Sequence, residues 1–123
     1  MVPLIEKPGG KITQSEHDGI TVFSLSGYFD EDLGHTLNER ADHSLRNGKA
    51  SLIIDFSQCA AVNSLGVEQL IELSVKVIQD FKGRLVFSQI KPIMQRVFDL
   101  AGITPQVDLV PNVTAGISLL KTS

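Results

Sequence analysis

Leu52-Ile53-Ile54-Asp55-Phe56-Ser57 is an apolar run of strand length that closes on polar residues. After Gln58-Cys59-Ala60-Ala61-Val62 the chain enters Asn63-Ser64-Leu65-Gly66-Val67, the opening of a long helical pattern. A strand with three consecutive branched aliphatics reads as covered on both faces, and a sheet is covered that way by helices packed against it. This passage therefore calls for an α/β fold. It also sets Ser64 at a helix N-terminus beyond the C-terminal end of a buried strand, the edge at which open α/β sheets build their sites. A hydroxyl there is either a helix cap or a handle for chemistry.

The flanking patterns extend the reading. Lys11 to His17 is a polar strand suited to an edge, Asp18-Gly19 is a hairpin turn signal, and Ile20 to Ser26 is a second strand that Gly27 ends. Asp30 is a candidate cap for a helix whose Leu33, Leu37, Ala41 and Leu45 recur every fourth residue and which stops at Asn47-Gly48. The strand Ser51–Phe56 follows, then a helix from about Ser64 to Phe81 with Val67, Leu70, Ile71, Ser74, Ile78 and Phe81 on one face and a Glu72–Lys76 pair opposite. Arg84–Ser88 is a buried strand. Pro92 opens a helix whose Ile93, Val97, Leu100 and Ala101 are expected to face the core. Gln106–Val110 is a last strand, and Asn112 or Thr114 begins a final helix with Ile117 and Leu120. The order predicts an open mixed sheet of four to five strands, with an N-terminal hairpin and about four helices on right-handed crossovers.

Chain length narrows the organisation. The chain has 123 residues, enough for one domain but short for two; 1–10, with Pro3, Pro8, Gly9 and Gly10, reads as a flexible N-terminal arm and 11–123 as a single domain. A formal net charge of −3 offers no basic footprint for direct nucleic-acid binding. Cys59 is the one cysteine, so an internal disulfide is excluded. No apolar run approaches the roughly 20 residues of a membrane span, and Met1 to Gly10 lacks the apolar middle of a signal peptide. These features predict a cytoplasmic protein.

Three loops are expected to meet at the C-terminal sheet edge: Gly27–Asp30, Ser57–Gly66 and Ser88–Pro92. They offer Tyr28, Asp30, Ser57, Asn63, Ser64, Ser88 and Lys91, a hydroxyl-rich group with no histidine to act as a base for Ser64. Neither a Gly-x-Ser-x-Gly elbow nor a phosphate-binding Gly-x-x-x-x-Gly-Lys is present, and the chain reads as a non-enzyme. If Asn63 caps the helix, the Ser64 hydroxyl faces outward, and Gly66 keeps the local surface low enough for another protein to approach. Tyr28 and Phe29 form a candidate docking anchor. His35, Glu39 and His43 share one helix face at i, i+4 and i+8, which reads as a solvated face, and Cys59 reads as a small buried hydrophobe.

The pattern resembles the STAS family, the small α/β domains named for sulphate transporters and anti-sigma factor antagonists. The resemblance spans about residues 11 to 121. It is carried by Gly27-Tyr28-Phe29-Asp30, Ile53-Ile54-Asp55-Phe56-Ser57, Asn63-Ser64-Leu65-Gly66, Gly83-Arg84-Leu85-Val86-Phe87 and Val97-Phe98-Asp99-Leu100-Ala101-Gly102-Ile103. In free-standing members the second helix opens on Asp-Ser, then Ser or Thr, then Gly, and a kinase-type anti-sigma factor phosphorylates the first Ser. That acceptor corresponds to Ser64. Asn63 stands in place of the acid and Leu65 in place of the second hydroxyl, while Gly66 is kept.

The resemblance implies an anti-sigma factor antagonist acting as a phosphorylation-controlled partner switch. Its protein partners would be a serine-kinase anti-sigma factor, docked through Tyr28, Asp30, Ser57, Asn63, Leu65, Gly66 and Glu68, and a resetting phosphatase. ATP and Mg²⁺ would belong to the kinase, so the chain itself needs no cofactor. The alternative is a scaffold subunit of a signalling or transport complex without phosphorylation, in which Ser64 acts only as a cap.

Overall fold

The computed structural model describes residues 9–122, so the expected arm over 1–10 lies mostly outside the described residues. Strands β1 (Lys11–His17) and β2 (Ile20–Phe29) form the N-terminal hairpin. Asp18 and Gly19 turn it at φ 54° and 83°, the left-handed geometry that a two-residue hairpin demands and Asp-Gly supplies. The remaining strands are β3 (Ser51–Val62), β4 (Arg84–Ser88) and β5 (Asp108–Val110). The sheet order is β1-β2-β3-β4-β5, antiparallel at β1–β2 and parallel elsewhere.

Sequential parallel strands joined by right-handed crossovers put their connecting helices on one face. Helices α1 (Glu31–Arg46), α2 (Ser64–Ser74, continued by a π-helical turn Val75–Asp80) and α3 (Pro92–Leu100) occupy it. The core there joins Leu37, Leu70, Leu73 and Phe98 to Phe23, Leu52, Ile54 and Phe56. Phe56, Phe87 and Phe98 pack with their rings steeply inclined to one another, centroids 5.0 to 5.7 Å apart. After β5, helix α4 (Val113–Lys121) returns to the opposite face and packs Ile117 and Leu120 on Ile20, Val22, Ile53 and Val86. Leu52 and Ile54 thus face three helices while Ile53 faces the fourth, which is why this run has no polar alternation.

Several expected boundaries shift. Gly27 does not end β2. The strand continues to Phe29 because β3 runs six residues beyond Phe56, to Val62, and keeps pairing with it. The pairing slips twice, between Ser24 and Ser26 and between Gly27 and Tyr28, and Gly27 sits at φ 76° at the second slip. The glycine is a swivel at a bulge. Most of two expected loops is therefore strand. Thr104–Gln106 is a single 3-10 turn, so β5 begins at Asp108 and not at Gln106.

Two helices sit differently from expectation. The buried line of α2 is Gly66, Gln69, Leu70, Leu73 and Ser74, continued by Val77, with Val67, Ile71, Ile78 and Phe81 only partly buried at its margins. The helix is rotated toward α1 because Gly34 lets it approach closely: a Cβ at Gly34 would collide with the Gln69 side chain. The Asn38 carboxamide donates to the Gln69 backbone oxygen at 3.0 Å and to its Oε1 at 3.1 Å, which makes a buried Gln69 tolerable. Lys76 reaches α1, donating to the Asn38 carbonyl at 3.4 Å and lying 4.0 Å from Asp42, in place of the expected pairing with Glu72. In α3 the core residues are Met94 and Phe98, with Ala101 partly buried. Ile93, Val97 and Leu100, expected inside, lie on the surface.

Candidate functional site

Ser64 is the first residue of α2 and is exposed. The cap is Asn63, whose extended backbone (φ −93°, ψ 176°) lets its side-chain oxygen accept from the Gly66 N–H at 2.8 Å. The Asn63 carbonyl takes the Val67 N–H at 2.9 Å. Among the described residues no side chain hydrogen-bonds to the Ser64 hydroxyl, so capping does not consume it. The N–H groups of Ser64 and Leu65 remain at the open end of the helix, where the backbone dipoles favour negative charge.

Phe29 positions this helix start. Its carbonyl accepts from the Asn63 N–H at 3.2 Å, and it is fully buried, so Phe29 is a structural anchor and not an exposed one. A Cβ at Gly66 would stand 2.6 Å from the Phe29 carbonyl oxygen and 2.9 Å from its ring. Gly66 is therefore buried, and its missing side chain serves the approach of α2 to β2, a different reason from the low outer surface expected of it. The next residue, Asp30, caps α1 by accepting from the Leu33 N–H at 2.9 Å. Two helix N-termini thus open side by side from the paired ends of β2 and β3.

Around this point Leu65 (45 % exposed) and Glu68 stand outward on the first turn and a half of α2. Glu31 and Asp32 do so on the first turn of α1. Tyr28 is half-buried in β2, paired with Ala61 and bridged to Gly9. Ser57 is drawn away: its hydroxyl donates to Asp55 Oδ2 at 2.8 Å, while Ser88 donates to Asp55 Oδ1 at 2.9 Å. The Ser88 bond fastens β4 to β3 beside the first slip, and both the Ser57 and Ser88 hydroxyls are committed. Lys91 likewise donates to the Cys59 carbonyl at 2.9 Å. The Cys59 thiol is buried, which pushes its pKa up.

His35, Glu39 and His43 are exposed on α1, and among the described residues no three His, Cys, Asp or Glu side chains are grouped to hold a metal ion. Among the same residues no helix is long and apolar enough to cross a membrane. The residues that sequence reasoning missed are Ile93, Val97 and Leu100. Their i, i+4, i+7 spacing was visible, but Met94, Phe98 and Ala101 offer a second stripe of the same spacing, and only packing decides between them.

An open mixed sheet with helices on both faces and an Asn-capped helix start that leaves the next hydroxyl exposed defines a small α/β domain. The STAS domain pattern matches residues 11–116, and the chain belongs to that family. It is 21% identical over 113 residues to BtrV of Bordetella bronchiseptica, provisionally named an anti-sigma factor antagonist, covering 92% of this chain and 97% of BtrV. The fold resembles that of the Bacillus cell fate determinant SpoIIAA in its phosphorylated form, with TM-score 0.70 and 17% identity, covering 89% of this chain and 99% of that one. It also resembles a chain of the stressosome, a signal integration and transduction hub, with TM-score 0.71 and 22% identity over 89% of this chain and 96% of the other.

Proposed function

We propose that the protein is an anti-sigma factor antagonist controlled by phosphorylation of Ser64. The observation that carries this reading is the division of labour between Asn63, which caps α2, and Ser64, which is left exposed and unbonded. The unmodified protein docks on a serine-kinase anti-sigma factor through the surface around Ser64, Leu65, Glu68, Asp30 and Tyr28, and so displaces that factor's client. The kinase then transfers the γ-phosphoryl group of its ATP to the Ser64 oxygen. ADP leaves and the hydroxyl proton is lost.

The two departures from the family motif are compatible with this role. A carboxamide oxygen at residue 63 caps as a carboxylate does, and Leu65 adds apolar contact area. A phosphate brings about −1.5 to −2 charge. On the monomer it meets the open N-terminus of α2 and is favourable by roughly 0.3–1 kcal/mol. In a closed interface it must be desolvated beside Leu65 against the partner's surface, where desolvation and like-charge juxtaposition across the interface cost several kcal/mol. Binding loses more than folding, and a phosphatase resets the state.

The test uses a serine-kinase anti-sigma factor from the same genome. Ser64→Ala is expected to fold, bind and accept no phosphate, and Ser64→Asp to fold and bind weakly. Phosphate on Ser57 or Ser88 instead would overturn the site. A second reading, a scaffold subunit of a large assembly, is favoured by the likeness to a stressosome chain. Light scattering that shows an assembly of many copies formed without any kinase would select it.

A further inference from the structure

A groove of about 300 Å³ runs between α3 and the end of β3. Its walls are Ala60, Ala61 and Val62 on the strand and Ile93 and Val97 on the helix, and no charged side chain lines it. Ala60 is exposed, as are Ile93 at 74% and Val97 at 41%, so the hollow opens to solvent. Its volume sits at the lower limit of small-molecule pockets, a size suited to a side chain or two.

Chain connectivity ties this groove to Ser64. Val62 lies two residues before it and Ala60 four, so their Cα atoms are within about 7.6 and 15 Å of the Ser64 Cα. A kinase that phosphorylates Ser64 places its active site over that hydroxyl. A specific complex covers about 800 Å² on each partner, a disc of roughly 16 Å radius. Such a footprint centred on Ser64 takes in the strand wall of the groove. Composition then decides where the apolar centre of the contact falls, because interface cores are poor in charge and rims are polar. The α1 side of Ser64 presents Asp30, Glu31 and Asp32, the character of a rim. The groove side presents alanines and branched aliphatics, the character of a core.

We propose that the groove between α3 and the end of β3 receives an apolar side chain of the serine kinase that acts on Ser64, and so anchors that partner while its active site reaches the hydroxyl. This inference rests on the Ser64 reading and extends it to a second element, α3. An apolar anchor seated in a desolvated pocket carries a large share of the binding energy of such a contact.

Titration calorimetry of the full chain with a serine-kinase anti-sigma factor of the same genome, together with the kinetics of phosphorylation, tests it. Ile93→Asp puts an acid in the first turn of α3, where the helix end accepts it. Ala60→Trp fills the hollow from an exposed position. Each should weaken binding about tenfold or more and raise the KM for phosphorylation to match. The rate at saturation should stay near the parent's, because Ser64 is untouched. Leu100→Glu, exposed on α3 outside the groove, should bind within about twofold of the parent. Circular dichroism on each variant confirms the fold. If the parent is phosphorylated on Ser64 and both groove variants bind as it does, the groove proposal falls and the Ser64 reading stands. A parent that does not bind the kinase, or takes phosphate elsewhere, overturns both. An equal loss at Leu100→Glu would move the contact to the outer face of α3 and overturn the groove as its anchor. Self-association of the parent that both groove variants abolish, with kinase binding intact, would give the hollow to a second copy and overturn the proposal as well.

Discussion

Asn63 Oδ1 stands 2.8 Å from the Gly66 backbone nitrogen, and this bond settles what Ser64 is free to do. Asn and Ser both lead the capping preferences. With the cap assigned to Asn63, the hydroxyl one residue later faces outward without a partner, at the helix end where negative charge is welcome.

Removing that bond should therefore be felt in folding. Asn63→Ala is expected to destabilise the domain by about 1 kcal/mol, seen as a lower thermal midpoint, whereas Asn63→Asp should hold near the parent value. An unchanged midpoint for Asn63→Ala would show that Asn63 does not carry the cap.

Gly66 is tied to the approach of α2 to Phe29. Gly66→Ala forces a methyl group to within 2.6 Å of the Phe29 carbonyl oxygen, so a loss on the order of 1–3 kcal/mol is expected in urea unfolding. The gain in helix propensity, about 1 kcal/mol at most, is too small to reverse the sign. A stabilised variant would contradict the packing described.

The two stripes of α3 are separated by a pair of truncations. Phe98→Ala removes a fully buried ring packed on Phe56 and Phe87 and should cost about 3–5 kcal/mol. Ile93→Ala, at 74% exposure, should stay within about 0.5 kcal/mol of the parent monomer. The reverse ranking would restore the core face that the sequence suggested.

Cys59 gives a pH dependence of definite sign. Burial raises its thiol above the ordinary 9.0, opposed by a backbone hydrogen bond with Ala61 and by the Lys91 charge. The folded chain holds this proton more tightly than the unfolded chain, so the contribution is fully present below pH 9.0 and is lost as pH rises through the folded value. Stability should fall more steeply above that point in the parent than in Cys59→Ala, measured by urea midpoints at each pH. The native thiol should also react slowly with a disulfide reagent near neutral pH, and quickly once unfolded.

Much of this was legible because local chemistry decided it. The cap at Asp30, the Asp18-Gly19 turn and the two-sided burial of Leu52–Ile54 follow from single residues or short runs whose backbone needs are narrow. Asn63 and Ser64 were legible as a pair, and only coordinates could say which one caps. The extension of β2 and β3 was hidden because Gly27 and Ala60–Ala61 carry no strand signal of their own; pairing holds them in the sheet past two slips. The inward turn of Gln69 depends on Gly34 and Asn38, which are distant in sequence. On α3, two apolar stripes competed and the Phe56–Phe87–Phe98 cluster chose between them.

The most direct measurement is the map of phosphate on the intact protein after incubation with Mg·ATP and the serine-kinase anti-sigma factor of the same genome, together with the thermal midpoint and kinase affinity of the product. The account predicts one phosphate on Ser64, a midpoint within a few degrees of the unmodified protein and an affinity at least tenfold weaker. Phosphate on another residue, a monomer unfolded by phosphate on Ser64, or a phosphorylated form that binds as tightly as before would contradict it.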